Sequence, residues 1–527
     1  MKRVAFALAC GWLAGSTSAV AAQEPGRAVR PRTAYEDLQL FSQVLNQLRT
    51  NHPDSLDSHT LIMAAIQGMV RSADPHSFVI QAVRLSPERE AQYAAGKLLP
   101  VPVAFDFSSG APIVVSVASG SSARRSDILP GDVLVAIEGQ PVVAESAFEL
   151  EVTLAGPKGS TVELAFERER EDGSVTTLVR TVRREKVDEE TAVPVATMLD
   201  GEAGYVRVTT FMGDKVADDL HQALERLEGA GMRRLVLDLR DNGGGSIDEA
   251  ARVAGEFLPE GRIVYTATGR KAAVVDTGRV KRAFWKEAKK YPIVVLVNEG
   301  TASASELVTG ALQDHDRALV VGRPTFGKSL MMRGFPLTDG SMIVLVIGHV
   351  RTPCGRVVQR EYRRIRRSDY FRLAAADRDT AGRPACRTSN GRTVYGGGGI
   401  YPDVVVPRTP AGPRWLRDAQ ELQVVLQFAG AQASAPGMPP TLEGWLSTLT
   451  LPADAPARFR AAAARQGITV PTDAESDALL QRVLLEAVAA ARWGEAGGYG
   501  VSARLDPAIR DAVRHFPAAA ALPGTPH

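Results

Sequence analysis

Apolar positions change period several times along this chain of 527 residues. Leu38, Phe41, Val44, Leu45 and Leu48 recur at helical spacing, and residues 61–70 do so again. Helices are therefore expected across residues 35–95. From about residue 97 to 187 the pattern shortens. Alternating runs meet at turn signals: Pro130-Gly131 leads into Asp132–Ile137, Glu138-Gly139 makes a hairpin, and Asp172-Gly173 makes another. A helix is expected around Glu145–Leu154. Beyond residue 200, continuous apolar runs alternate with amphipathic stretches. Gly204–Val208, Arg234–Leu239, Pro292–Val297 and Ala318–Val321 read as strands, Pro292–Val297 as one buried on both faces. Val216, Leu220, Leu224 and Leu227 mark a helix between the first two. Strand-like and helix-like patterns thus alternate through residues 200–410. Gly430–Pro439 reads as a Pro/Gly/Ala-rich linker. Residues 440–520 are Ala-rich, with Leu479, Leu480, Val483, Leu484 and Val488 at helical spacing, so a small helical C-terminal domain is expected.

Composition narrows the class. A formal net charge of +2 favours neither nucleic acid nor an acidic substrate. Met1–Ala22 has a basic start (Lys2-Arg3), an apolar run (Val4–Leu13) and a small-residue A-x-A end (Ala19-Val20-Ala21). That order predicts a signal peptide cleaved near Ala21 or Ala22 and an exported, periplasmic protein. No other run approaches a membrane span. After processing two cysteines remain, Cys354 and Cys386, either paired across the intervening segment or free. No histidine or cysteine spacing matches a metal site, and no cofactor is expected. The Gly-rich loop Gly243-Gly244-Gly245 lacks a Walker lysine or GxGxxG spacing, so it is not read as a phosphate cradle.

The chemistry concentrates between Tyr291 and Met332. Asn298-Glu299-Gly300 turns the chain out of a buried strand, and Ser303 falls in the first turn of the helix that follows. Unpaired N–H groups and the positive end of the helix dipole stabilise an oxyanion there. One strand later, Pro324-Thr325-Phe326-Gly327-Lys328 carries a single lysine. A lysine desolvated enough to stay neutral can take a serine's proton. A helix-capping Ser303 and a solvated Lys328 would serve the same residues equally well.

The segment Asn298–Glu306, with Thr325-Phe326-Gly327-Lys328 downstream, resembles the C-terminal processing, or tail-specific, serine peptidases. Asp74-Pro75-His76-Ser77, Asp238-Leu239-Arg240-Asp241-Asn242-Gly243-Gly244, the Arg351–Gln359 segment and Gly396–Val406 match further elements of that family, and Asp127–Val142 resembles a PDZ domain. The resemblance implies a crotonase-like α/β core with an inserted, mainly-β PDZ domain and helical N- and C-terminal regions. It implies Ser303 as nucleophile and Lys328 as general base. The oxyanion hole falls to Gly245, or to Gly244, together with Ala304. The family places a glutamine one helical turn after the lysine, and Met332 stands there. The family's PDZ loop captures a C-terminal carboxylate on backbone N–H groups, whereas Leu99-Pro100-Val101-Pro102-Val103 has two prolines in that place. The expected partners are thus protein or peptide substrates, engaged by an endopeptidase through exposed or unfolded C-termini. The competing reading is a weak or inactive relative that binds peptides or acts as a scaffold. His76 reads as a turn residue. His315 and His349 are alternative bases in a Ser–His–Asp arrangement. The basic run Arg360–Arg387 reads as a solvated surface loop.

Overall fold

The computed structural model describes residues 32–81, 86–107, 111–118, 120–144, 147–170, 172–186, 191–199, 201–281, 287–363, 365–372, 379–407 and 412–524. The expected signal peptide lies outside them. Two compact units are defined, Met1–Met69 and Val70–His527.

In the first unit the helix Ala34–Asn51 begins at a capping box. The Thr33 hydroxyl accepts the Glu36 N–H, and the Glu36 carboxylate accepts the Thr33 N–H at 2.7 Å. None of this helix's residues is buried. A second helix, Ser58–Ala73, follows and continues past the boundary at Met69.

The second unit contains a six-stranded antiparallel sheet whose main path runs Val103–Asp106, Ile113–Val117, Val133–Ile137, Thr161–Glu169 and Val175–Arg183. Val114, Ile128, Leu134, Leu150, Leu164 and Phe166 fill its core. Alternation along Thr161–Glu169 puts Val162, Leu164 and Phe166 inside, as a half-buried strand requires.

The core sheet is mostly parallel. Its first strand, Val195–Met198, runs antiparallel to β1 (Ala203–Arg207). Next come β2 (Arg234–Asp238), β3 (Ile293–Val297), β4 (Leu319–Gly322) and the short Val404–Val405, each parallel to its neighbour. One face packs on α1 (Val216–Gly229), α2 (Ile247–Gly255) and α3 (Ala304–Asp314), through Leu220, Leu224, Val253, Phe257, Val308 and Leu312. A second antiparallel sheet includes Phe78–Ile80, β5 (Leu330–Pro336) and β6 (Met342–Arg351).

The opposite face of the parallel sheet is closed by the end of the chain. Tyr205, Val236, Val294 and Leu296 pack on Ile509, Ala512, Phe516 and Ala519 of α4 (Pro507–Val513) and α5 (Phe516–Ala520). Each Val, Leu, Ile or Phe among them contributes roughly 1.5–3 kcal/mol on burial. The last helices therefore complete the α/β core. Of the stretch read as a linker, Gly430–Ala433 belong to the helix Val424–Ala433, and residues 434–439 are turn and irregular chain. A Cβ on Gly430 would lie 2.2 Å from the Pro130 carbonyl oxygen, so only glycine lets this helix meet the Pro130-Gly131 turn so closely. The Arg124 side chain donates to the carbonyls of Ala491 and Arg492, in the helix Ala474–Leu505, at 2.5 and 2.6 Å.

Candidate active site

The loops leaving β2 and β3 are knitted together. Buried Asn242 accepts the Gly244 N–H on its side-chain oxygen at 2.9 Å, and its amide donates to the Val208 carbonyl. Its backbone carbonyl accepts the Ala302 N–H and the Ser305 hydroxyl, both at 2.9 Å. Asn298 accepts the Asp241 N–H at 2.9 Å, and the Thr301 hydroxyl donates to the Leu239 carbonyl at 2.8 Å. The Gly-rich loop and the turn before α3 are thus one rigid piece.

Ser303 does not lie in the first helical turn. It is the residue before α3, with φ 57° and ψ −117°. A serine held at positive φ costs on the order of 1–3 kcal/mol, and such strain collects at functional sites. Its N–H donates to the Glu306 carboxylate at 2.9 Å, and its carbonyl accepts from Glu306 and Leu307. The side chain is half-buried. A Cβ on Gly244 would lie 2.7 Å from the Ser303 Cβ and 2.8 Å from the Ala304 nitrogen, so glycine keeps the space over the Ala304 N–H open. The two candidate oxyanion donors on this loop now differ. The Gly244 N–H is occupied by Asn242, whereas the Gly245 N–H has no hydrogen-bond partner among the described residues.

Glu306 is the residue that the sequence reading did not single out for a role. Its carboxylate is fully buried. It accepts the N–H groups of Ser303 at 2.9 Å, Gly327 at 2.7 Å and Lys328 at 2.8 Å, and the Thr325 hydroxyl at 2.5 Å. One side chain therefore ties the Ser303 turn to the Lys328 loop. Burial pushes this carboxyl up, against the pull of the four donors. The lysine loop is held elsewhere too: Phe326 donates to the Thr301 carbonyl, Arg360 to the Gly327 carbonyl and Ser329 to the Gln359 side chain, all at 2.9 Å.

Lys328 is half-buried, and burial lowers its pKa from the ordinary lysine value. The Glu306 and Asp74 carboxylates oppose that shift. Met332 does not follow Lys328 by a helical turn, because this segment is strand β5. Leu330 and Met332 share one face of the strand, and an irregularity in the β5–β6 pairing falls between Met331 and Met332. Both line a cavity of about 630 Å³ with Ser303, Lys328, Gly244 and Gly245. Where the resembling family has an amide, this chain presents a thioether, and the wall beside Lys328 is apolar.

The histidines are placed apart. His315 caps the far end of α3, about 18 Å from Ser303 at 1.5 Å per residue, and its ring bonds to the Ile263 carbonyl. His349 pairs with Leu330 on β6 and is not among the residues lining the Ser303 cavity. His76 lies in the turn whose Asp74 accepts the His76 and Ser77 N–H groups at 2.7 Å. Its ring meets the Tyr370 hydroxyl at 2.9 Å and packs edge-on against Phe326. That turn therefore flanks the lysine loop. Cys354 and Cys386 form a disulfide. No cluster of metal-binding side chains occurs among the described residues, and none of their helices is long and apolar enough to cross a membrane.

A serine at positive φ before a helix, a half-buried lysine and the open N–H of Gly245 lie around one cavity, the groups from which a serine hydrolase site is built. Comparison with known proteins is specific. The family model "Peptidase family S41" matches residues 202–365, and a PDZ domain model matches residues 84–179. The carboxy-terminal-processing protease of Bartonella bacilliformis is 31% identical over 333 residues, covering 62% of this chain and 74% of that protein. Carboxyl-terminal-processing peptidase 2, chloroplastic, of Arabidopsis thaliana is 35% identical over 301 residues, covering 55% and 56%. A probable CtpA-like serine protease of Staphylococcus aureus is 30% identical, covering 62% and 64%. The solved photosystem II D1 C-terminal processing protease aligns at 25% identity over 69% of this chain and 86% of its own, with a TM-score of 0.36. The chain belongs to the S41, carboxyl-terminal-processing, serine peptidase family. It spans between about half and three quarters of the length of these three curated relatives.

Proposed function

We propose that this protein is an exported endopeptidase of the C-terminal processing type, built on a crotonase-like core and working through a Ser303/Lys328 dyad. Ser303 Oγ attacks the scissile carbonyl carbon while its proton passes to neutral Lys328 Nζ. The tetrahedral oxyanion accepts from the Ala304 and Gly245 N–H groups. The Lys328 ammonium then protonates the departing amine, leaving an acyl-enzyme on Ser303. Water, deprotonated by the same lysine, releases the acid and regenerates the hydroxyl. Met1–Ala22 acts as the export signal and is removed near Ala21 or Ala22. The substrates are unfolded or C-terminally exposed segments of proteins.

The observation that carries this reading is the Glu306 bridge. A buried carboxylate that binds the N–H of the serine and the N–H of the lysine has a structural consequence: neither can move without the other. A helix cap and a solvated lysine would need no such bond. The apolar wall of Leu330 and Met332 favours a neutral lysine, and thereby an active site over a binding scaffold. The test is degradation of an unfolded model protein by the mature enzyme beside Ser303→Ala and Lys328→Ala. Loss of cleavage in both variants, with unchanged thermal unfolding, is expected. Residual wild-type-like cleavage in either one removes that residue from the dyad.

A further inference from the structure

Glu306 holds the Lys328 loop from the serine side. Two other segments hold it from outside. In the first, the Gln359 side chain accepts the Ser329 N–H, and the Arg360 N–H donates to the Gly327 carbonyl, both at 2.9 Å. In the second, the Ile400 carbonyl accepts the Thr325 N–H at 3.1 Å, and the Ile400 N–H donates to the Thr325 hydroxyl at 2.7 Å. The two segments also meet each other: Gly397 and Gly399 donate to the Val357 and Val358 carbonyls at 2.7 and 2.8 Å.

Neither segment takes its shape from a helix or strand. Residues 352–360 are turn and irregular chain. The second segment opens with Gly396–Gly399, and Gly397, Gly398 and Gly399 have φ of 76°, 153° and 108°. Glycine reaches such angles without strain, but it also has the most conformational freedom to lose. A covalent tie can remove that freedom, and the Cys354–Cys386 disulfide joins these two segments. Cys354 sits in the turn that starts the first. Its N–H donates to the Asp314 carboxylate at 3.0 Å, at the far end of α3, and buried Arg356 pairs with the same carboxylate at 2.7 Å. Cys386 lies in the strand Ala385–Arg387, which pairs with Thr393–Tyr395, and that strand runs directly into Gly396. The Gly396 N–H returns to the Pro384 carbonyl at 2.9 Å. The crosslink thus refers the outer wall of the lysine loop to α3, the helix that Ser303 precedes.

We propose that the Cys354–Cys386 disulfide positions Lys328 for catalysis, so that the chain reaches its full rate only once the two thiols are oxidised. Both cysteines act through the outer wall and neither touches substrate. Forming the bond releases two electrons and two protons, and oxidised glutathione takes them up by exchange to become two glutathione thiols. This rests on the peptidase reading, so one arm of the test is independent of turnover. Amide hydrogen exchange is read by mass spectrometry on the full mature chain carrying Cys354→Ser and Cys386→Ser. Peptides covering residues 325–329 and 396–400 are expected to exchange at least about tenfold faster than in the oxidised wild type, and those covering 302–308 at the wild-type rate. On an unfolded substrate kcat should fall by at least about tenfold with KM nearly unchanged, as a sub-ångström shift of the base requires. Loss of a disulfide also lowers stability. Leu484→Ala, in the core of the C-terminal helices, controls for that: it should lower the unfolding temperature but change neither exchange in the lysine loop nor kcat. Wild type isolated with both thiols reduced should match the double serine variant, and oxidised glutathione should restore both readouts. Unchanged exchange at 325–329 in the double variant would overturn the proposal. So would an undiminished kcat, an equal fall of kcat in Leu484→Ala, or disulfide formation without recovery. A wild type that cleaves nothing while its exchange still responds would overturn the peptidase reading and support the crosslink's hold on the loop.

Discussion

Asp238, at the end of an interior strand, and Glu306, in the first turn of α3, are both fully buried carboxylates, and they are satisfied in opposite ways. Asp238 ends β2 between two cations, with Arg207 at 3.0 Å and Arg240 at 2.6 Å, and accepts the Tyr205 hydroxyl at 2.9 Å. Arg240 continues to Asp506 at 2.7 Å, the residue that caps α4. This network fastens the last helices under the sheet. Its charges cancel locally, and the two arginines hold the Asp238 carboxyl well below the usual carboxylate range. Glu306 has no such cation in its hydrogen-bond shell. Four neutral donors hold it, and burial pushes its carboxyl up. Charge that is neutralised in place serves the fold. Charge left to backbone N–H groups fixes the position of the two loops that bear Ser303 and Lys328.

Substitution should separate these roles. Asp238→Asn removes the buried charge that Arg207 and Arg240 share, leaving Arg240 with Asp506 alone. It is expected to lower stability by about 3–5 kcal/mol, read by denaturant unfolding. Glu306→Gln keeps the side chain's shape but introduces an amide N–H opposite existing donors. The chain should still fold, while kcat falls roughly 100-fold, as expected for about an ångström of misplacement between the reacting groups. The smallest effect belongs to Met332→Gln. An amide oxygen near the ammonium favours the charged lysine, so the rising limb of the pH–rate profile should move to higher pH. At neutral pH that costs no more than about tenfold in rate, one pKa unit.

The same two carboxylates make opposite contributions to stability against pH. The depressed carboxyl of Asp238 binds its proton first in the unfolded chain, so its stabilisation is present above the ordinary aspartate range and is lost as pH falls through the folded value. For Glu306 the folded state binds the proton more tightly, so stability declines as pH rises from the ordinary glutamate range through the raised folded value. Melting temperatures across the acid range should therefore respond oppositely to Asp238→Asn and Glu306→Gln: the first should remove a rising component, the second a falling one. Parallel responses would show that the two environments do not differ as described.

Much of this arrangement was legible in the residues. Buried strands announce themselves as unbroken apolar runs, and Ser303, Lys328 and Gly243–Gly245 stand where strand, turn and helix meet. Three features were hidden for physical reasons. Glu306 follows Ser303 by three residues, a spacing that fits an ordinary capping box, and its bonds to Gly327 and Lys328 are tertiary. The helices over the back of the sheet are Ala-rich, so periodicity shows an amphipathic face without showing what it covers. Arg360 opens a run of arginines, and only the fold reveals that it stacks between Phe326 and Tyr370 while its neighbours in sequence lie nearer the surface. Met332 shows the converse. Its departure from the family pattern is visible in sequence, but its meaning depends on the strand that aims it, with Leu330, into the Ser303 cavity.

The pH dependence of kcat/KM for an unfolded substrate, measured beside His76→Gln, tests most directly whether a neutral Lys328 is the base. The account predicts a single rising limb. Its midpoint should lie below the ordinary lysine range, because burial lowers the Lys328 pKa, and it should stay in place when His76 is replaced. A midpoint in the imidazole range that vanishes with His76→Gln would contradict it and pass the base's role to the histidine beside Tyr370.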